Sequence, residues 1–572
     1  MASERSYDTI VLGAGSAGSV LAARLSADAD RQVLLVEAGG PARSLFVDMP
    51  AGNGFLFGNP AYDWGYRSEP QAALGGRRIY YPRGRGLGGT SILNGMIYTR
   101  GNRVDYDGWA AAGAKGWGYA DILPYFRRSE GSWRGNNRFH GADGPLKVNP
   151  SRNFNEIDRR FIAAALATGH RANEDVMGEE QVGAFRLDVM VEKGRRISLA
   201  RAYLRPAMGR PNLEVRTGRR ALRIHLENGR ARRVELAGPG GPESVRAERE
   251  ILVALGTFGS PHLLMLSGIG PADTLRSHGI APVADLPGVG CNLQDHVNLP
   301  VQFRCLDPAL SFARWQRLDR AIWLGASYLL TRSGPGAGPF WSACLFSAGE
   351  QSGRLPDYQT FFTPMVVVED LFHAANSGGK PGFLDLDALG ARILSRGKRA
   401  LSGFQIDVNP LMPESRGRVT LTSADPLRPP AIDPMMLASA AEQRLAIEGI
   451  RLARELAAAA PFEGIAGAEL SPGRDHASEE DILAAVRRIA NTAHHPVGTC
   501  RIGGASDPDA VVDEALRVRG VEGLHVVDAS VFPRQIRGNP SSTIVAIAER
   551  ASDLILGRAP LAPDPVSEAT GA

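Results

Sequence analysis

The stretch Tyr7–Ala27, "YDTIVLGAGSAGSVLAARLSA", decides the fold. It opens with a short apolar run of strand type, breaks at glycines, and resumes with apolar residues at helical spacing. Gly13, Gly15 and Gly18 satisfy G-x-G-x-x-G at that break. A second apolar run, "RQVLLVEAGG" (Arg31–Gly40), ends in Glu37, 19 residues beyond Gly18. Each part has a physical use. Glycines let the backbone approach a pyrophosphate, a helix N-terminus stabilises its charge, and a carboxylate closing the second strand accepts from ribose hydroxyls. Together they predict a Rossmann-like dinucleotide site, against the plainer reading of a glycine turn in an ordinary α/β unit. They do not choose between FAD and NAD.

Outward from this unit, "REILVAL" (Arg249–Leu255) and "GLHVVDAS" (Gly523–Ser530) are further strands; if they join the first sheet, the nucleotide domain is discontinuous. "PNLEVRTGRRALRIHLENGRARRVELAG" alternates apolar and polar residues about the turn "ENGR", which predicts antiparallel strands. "GRLPDYQTFFTPMVVV", "LSGFQIDVNPLM" and "GRVTLTS" predict strands of another sheet, flanked by helices such as "AAEQRLAIEGIRLARELAAAA". The tail from Ala559, rich in Pro and Ala, is expected to be disordered.

With 572 residues, 44% of them hydrophobic, the chain can bury a large core. Lys+Arg 65 against Asp+Glu 61 leaves a net charge of +4, and no basic block with interleaved aromatics marks a nucleic-acid partner. Cys291, Cys305, Cys344 and Cys500 are dispersed, without a CxxC pair, which argues against a disulfide framework or a zinc site and fits a reducing cytoplasm. The most apolar run, "AIWLGASYLL" (Ala321–Leu330), is about half the length that spans a bilayer.

"GRGLGGTSILNGMIYTRGN" (Gly84–Asn102) is glycine-rich but lacks the Lys-Ser/Thr pair of a P-loop. It resembles the first signature of the glucose–methanol–choline (GMC) oxidoreductases, a flavoprotein family. "GTFGSPHLLMLSGIG" (Gly256–Gly270) resembles the second signature. "PGVGCNLQDH" (Pro287–His296), "HPVGTC" (His495–Cys500) and "VVDASVFP" (Val526–Pro533) follow in the family's order, so that the resemblance runs from Tyr7 to Leu556.

The resemblance implies an α/β chain, α+β in its whole make-up. A Rossmann-like FAD-binding domain is assembled from discontinuous segments, beside a substrate-binding domain with an antiparallel sheet flanked by helices. The expected division places FAD-binding segments and a flavin-covering loop in 1–155, more of that domain in 156–300, and mainly the substrate domain in 301–480. The active-site histidine and closing segment fall in 481–556, and the tail in 557–572. It also implies that Gly13, Gly15, Ser16, Ala17 and Gly18 take the FAD pyrophosphate, with Glu37 and Ala38 at the adenosine ribose. Gly89, Thr90, Asn94, Gly95 and Met96 would run along the pyrophosphate and flavin ring. Ala221 would meet the adenine, and Asp528, Ala529, Asn539 and Pro540 would close over the flavin. Leu93 stands where some members carry the histidine that bonds FAD, so the cofactor is expected to be non-covalent.

The same resemblance gives "NTAHHPVGTC" (Asn491–Cys500) its reading. His495 matches the acid–base group beside the flavin, and His494 is expected to pack behind it. A metal pair is disfavoured because neighbours on an extended segment face opposite sides. In Asn539-Pro540-Ser541 the expected partner of His495 across the substrate oxygen is Ser541, the residue that ends the triplet where members commonly show Asn or His. The expected reaction is oxidation of a neutral aromatic or aliphatic primary alcohol, with dioxygen or another acceptor reoxidising the flavin. A hydroxynitrile-type lyase, a flavin photodecarboxylase and a non-catalytic flavoprotein are the alternatives. Trp64, Phe361, Phe362, Met365 and Phe404 are candidates for an apolar pocket.

Overall fold

Ile10, Val11 and Leu12 are fully buried because strand β1 (Arg5–Leu12) runs between two parallel neighbours, which is why it reads as a continuous apolar run. The computed structural model describes residues 5–349, 353–366 and 401–564. Helix α1 (Ser16–Leu25) follows β1 across the glycine turn and leads back to β2 (Val33–Glu37). On the far side of β2 lies β3 (Leu213–Thr217), also parallel. Strands β4 (Arg220–Glu227), β5 (Arg230–Ala237) and β6 (Glu243–Val253) form a meander, and β6 pairs parallel with β1. Leu524–Val526 joins parallel to β6, so strands distant in sequence build one sheet. The turn between β4 and β5 places Asn228 and Gly229 at φ 50° and 79°, the left-handed pair of a tight hairpin. The expected antiparallel strands are therefore β4 and β5, whereas "LEVRT" (Leu213–Thr217) is parallel. Beyond β6, helix α2 (Gly256–Leu266) opens at the ends of these strands.

A second sheet is wholly antiparallel. Its order is Ala466–Ser471, β7 (Val297–Cys305), β10 (Gly403–Pro410), β9 (Tyr358–Thr363), β8 (Ala343–Ser347) and Gly183–Arg186. One face is apolar. Leu299, Val301, Phe303, Phe362, Phe404, Ile406 and Val408 share a buried cluster with Ala446, Ile450 and Ala453 of helix α3 (Ala440–Ala458). The strand period of two turns the alternate residues to the other face, where the first sheet's ligand crevice lies. Helix α4 (Glu479–Ile489) then leads into a two-residue strand, Asn491–Thr492, that pairs with Val297–Asn298 and delivers the histidine segment.

Several expectations are corrected. Residues 183–186, expected in the FAD-binding unit, pair with β8 of the second sheet because their alternation matches that edge. "GRVTLTS" forms a separate hairpin, Arg418–Thr420 with Ala431–Asp433. The first part of the tail is packed rather than disordered: Leu561 N–H donates to Tyr125 Oη at 2.9 Å and Arg127 pairs with Asp564 at 2.6 Å. Residues 565–572, and Val367 and Val368 of the expected strand "MVVV", lie outside the described residues. Phe362 and Phe404 belong to the apolar face, away from the crevice. Among the described residues no helix is long and apolar enough to cross a membrane.

Candidate active site

One cavity runs from the glycine turn after β1 to the inner face of the second sheet. It is lined by Gly13, Gly15, Ser16, Ala17, Glu37, Ala38, Gly89, Thr90, Asn94, Gly95, Met96, Ala221, Asp528, Ala529, His495, Asn539, Pro540 and Ser541. Of the residues expected to contact FAD, only Gly18 lies beneath the surface. A Cβ there would stand 1.8 Å from Gly13 O, so glycine is what lets α1 fold back onto the turn. Gly13, at φ 97°, meets Ala254 O in the same way at 2.6 Å. At Gly15 a Cβ would find only Ala254 O at 3.8 Å.

These residues fit the pyrophosphate of a dinucleotide. The first N–H groups of α1 have no intrahelical acceptor and carry the positive end of the helix dipole. Glu37 is held rather than free: Ala14 N–H donates to Oε2 at 2.9 Å, and Gly39 and Gly86 N–H donate to Oε1 at 2.7 and 3.0 Å. A carboxylate has about four lone-pair sites, which leaves one for a ribose hydroxyl. Asp528 is tied likewise by Gly256 N–H, Ser530 N–H and Ser260 Oγ, and it fixes the segment that brings Ala529 to the cavity.

At the other end, His495 is held at four points. Its N–H donates to Asp295 Oδ1 at 2.8 Å, and its carbonyl accepts from Gln535 Nε2 at 2.8 Å. Ring Nδ1 lies 3.0 Å from Nδ1 of His296, and ring Nε2 lies 2.9 Å from Nδ2 of Asn539. The expected partner Ser541 is thus replaced by Asn539. Pro540 turns the chain into the helix Ser541–Ile555, leaving residue 539 at the ring and Ser541 as a first-turn residue on the cavity wall.

The protons on this chain are determined from both ends. His296 Nε2 lies 2.8 Å from the carbonyl of Leu411, which can only accept, so His296 carries its proton on Nε2. Its Nδ1 therefore accepts from His495 Nδ1–H, and His495 Nε2 bears a lone pair. Independently, Asn539 Oδ1 receives Thr99 Oγ1–H and Gln359 Nε2–H, both at 3.0 Å, which fixes the amide with Nδ2 toward His495. Both routes leave Nε2 of His495 an acceptor facing the cavity. Burial pushes His495 well below the ordinary histidine value, and His296, His494 and Arg83 push it the same way, so the ring is neutral.

His494 departs from the extended conformation on which the metal argument rested. Its φ is 68°, and both neighbouring rings line the cavity. Its Nδ1 is buried with no partner among the described residues, and burial with Arg83 nearby lowers its pKa to about 3. Asp295, raised by burial to about 6, receives Thr492 Oγ1–H as well as the His495 amide, anchoring the segment. Asp295 and His296 were not among the expected site residues. The motif "NLQDH" contains both, but nothing in its spacing says that they reach residues two hundred positions away.

Comparison with known proteins identifies the family. A family model described as GMC oxidoreductase matches residues 7–298 with its N-terminal part and 413–548 with its C-terminal part. An oxygen-dependent choline dehydrogenase of Brucella anthropi is 39% identical over 555 residues, 97% of this chain and 96% of that one. Its counterpart from Rhizobium johnstonii is 40% identical over 555 residues, with the same coverage. The crystal structure of pyridoxine 4-oxidase from Mesorbium loti superposes with a TM-score of 0.84 at 30% identity, covering 97% of this chain and 100% of that one.

Proposed function

The chain belongs to the GMC oxidoreductase family, whose members bind FAD and act on alcohols, and from that premise we propose that the FAD-loaded protein oxidises a primary alcohol to its carbonyl, with His495 taking the proton and Asn539 holding the oxygen. The observation that carries the reading is the fixed tautomer: a neutral histidine with its lone pair turned into the cavity and an amide donor beside it. FAD, when bound, supplies the acceptor for the hydride.

The protein handles the proton. An alcohol about as acidic as water, roughly 15.7, stands some 9 units above an ordinary histidine near 6.5, a gap of ~12 kcal/mol. The depressed basicity of His495 widens it. A free alkoxide is thus too costly, and the proton must leave nearly together with the hydride while the oxygen is stabilised. Asn539 suits this: one Nδ2 hydrogen faces His495 Nε2, and a substrate hydroxyl entering there would donate to Nε2 and accept from Nδ2.

Asn539→Ala is therefore expected to cost about 10- to 150-fold in kcat/KM, the loss of a hydrogen bond to a developing charge. Ser541→Ala should cost less than about 5-fold, as for a wall residue. Steady-state kinetics of both variants on several alcohols tests this division; a larger loss at Ser541 would return the role to that residue. Leu93, buried on the cavity wall, offers FAD no bonding atom. Acid precipitation should then release all the FAD, and yellow colour kept by the washed pellet would contradict non-covalent binding.

The rings of Phe57, Trp64, Tyr66, Trp341 and Phe361 line the cavity and support an aromatic or aliphatic stem on the substrate. A wholly neutral substrate accords less well with Asp407, a buried carboxylate on the same wall. Dioxygen is the proposed acceptor, supported by the oxygen dependence in the relatives' names.

A further inference from the structure

Arg196 is a buried cation without a carboxylate of its own, and it holds a residue of the cavity wall. It ends the short strand Arg195–Arg196, which pairs with Val191–Glu192, and is 1% exposed. Its Nη1 donates to Asn94 O at 2.5 Å and to Asn94 Oδ1 at 3.0 Å. The same Oδ1 accepts from Met96 N–H at 3.2 Å, and Met96 O accepts from Met190 N–H at 2.7 Å. Met96 sits at φ 61°, which a residue with a Cβ adopts only when its neighbours hold it there. Asn94, Gly95 and Met96 line the cavity, and the guanidinium grips this loop from behind.

The charge of Arg196 is otherwise uncompensated. Its Nε and Nη2 have no hydrogen-bond partner among the described residues. The carboxylate that acts on it, Asp48, is paired with Arg201. Burial lowers the Arg196 pKa from 12.5 to about 9, which leaves the group charged at neutral pH. The cations on the cavity wall itself are differently placed. Arg83 acts with Asp295 and Asp63, Arg219 pairs with Glu243 at 2.8 Å, and Arg220 lies over the Trp64 ring, next to Ala221. His495 is neutral. A buried charge without a partner costs free energy unless an opposite charge comes to meet it.

The reaction supplies that opposite charge. An alcohol gives up two electrons and two protons on becoming a carbonyl. Hydride transfer carries both electrons and one proton to FAD and leaves one negative charge there, while His495 takes the other proton. We propose that Arg196 is the fixed positive charge behind the cavity wall that stabilises the anionic, reduced form of FAD, and that its grip on Asn94 fixes where that charge acts. This rests on the reading above that an alcohol reduces the bound FAD. Arg196 acts through Asn94 and through its field, not by contact with the reacting atoms. Being already in place, it needs no rearrangement during the step.

Two measurements on the FAD-loaded protein read this charge without an alcohol. One is the reduction potential; the other is the affinity for sulfite, which forms a bond to the flavin and leaves one negative charge on it. Arg196→Gln keeps an amide donor toward Asn94 and removes the charge. It should weaken sulfite binding by about 10- to 100-fold and lower the potential by about 30–60 mV, the same factor for a two-electron couple. Arg196→Lys separates charge from grip. Lysine starts about 2 units below arginine, so the burial that brings the guanidinium to about 9 brings an ammonium to about 7. This variant should match wild type at pH 6 and Arg196→Gln at pH 9, each compared at equal pH. Wild-type values in both variants at every pH would overturn the proposal. Equal losses in both at pH 6 and pH 9 would overturn it too, leaving Arg196 as a clamp on Asn94 only. Should Arg196→Gln not retain FAD, the pH dependence of Arg196→Lys decides alone. If no alcohol is oxidised, the oxidation reading fails, while the potential and sulfite affinity still decide the role of Arg196.

Discussion

Replacing His495 by alanine is expected to lower kcat/KM for alcohol oxidation by about 10²- to 10⁴-fold, the range for losing a positioned base. Its lone pair is set toward the cavity by two independent hydrogen-bond routes. His494 cannot substitute: its ring is as buried, but its Nδ1 lacks the partner that would fix a tautomer. FAD content and folding should survive, because the backbone anchors to Asp295 and Gln535 do not involve the ring. His494→Ala on the same alcohols should lose much less. Equal losses at both positions, with FAD retained, would contradict the assignment.

His296→Leu should lower kcat by roughly 10²-fold, between the loss of one neutral hydrogen bond and the ~10⁴ that a wrong tautomer costs a histidine base. Without the acceptor at His296 Nδ1, the proton of His495 is free to move to Nε2, where it blocks the lone pair. In this account His296 positions the His495 ring and touches neither substrate nor flavin. The discriminating readout is a split in the kinetics: kcat falls while the dissociation constant of a non-reacting ligand stays near wild type. His296→Gln, which keeps an amide acceptor on the same backbone position, should recover part of the loss. A fall in ligand affinity equal to the fall in kcat would make His296 a packing residue only.

The nucleotide half of the fold was legible because its signals are local. Gly13, Gly15, Gly18 and Glu37 lie within one βαβ unit, and their spacing alone carries the geometry. The parallel strand Leu213–Thr217 was misread for the opposite reason: its alternation suits either pairing, and only the distant β2 decides. The pair proposed to handle the proton was half legible. His495 stands in a motif, whereas Asn539 was distinguished from Ser541 by the onset of a helix at Pro540, which depends on how the closing segment packs. His296 carried no signal in the sequence, since the ring it meets lies 199 residues away. Burial also told against expectation at residues 559–564, where a Pro-rich composition suggested disorder but Leu561 and Asp564 have partners.

The central claim is that His495 takes a proton from an alcohol as the flavin takes a hydride. Anaerobic mixing of the FAD-loaded protein with a primary alcohol in darkness tests it most directly. The account predicts bleaching of the flavin absorbance with formation of one carbonyl per flavin, slowed by about 10²-fold or more in His495→Ala, and return of the colour when air is admitted. Consumption of the alcohol while the flavin stays oxidised, or bleaching at an unchanged rate in His495→Ala, would contradict it.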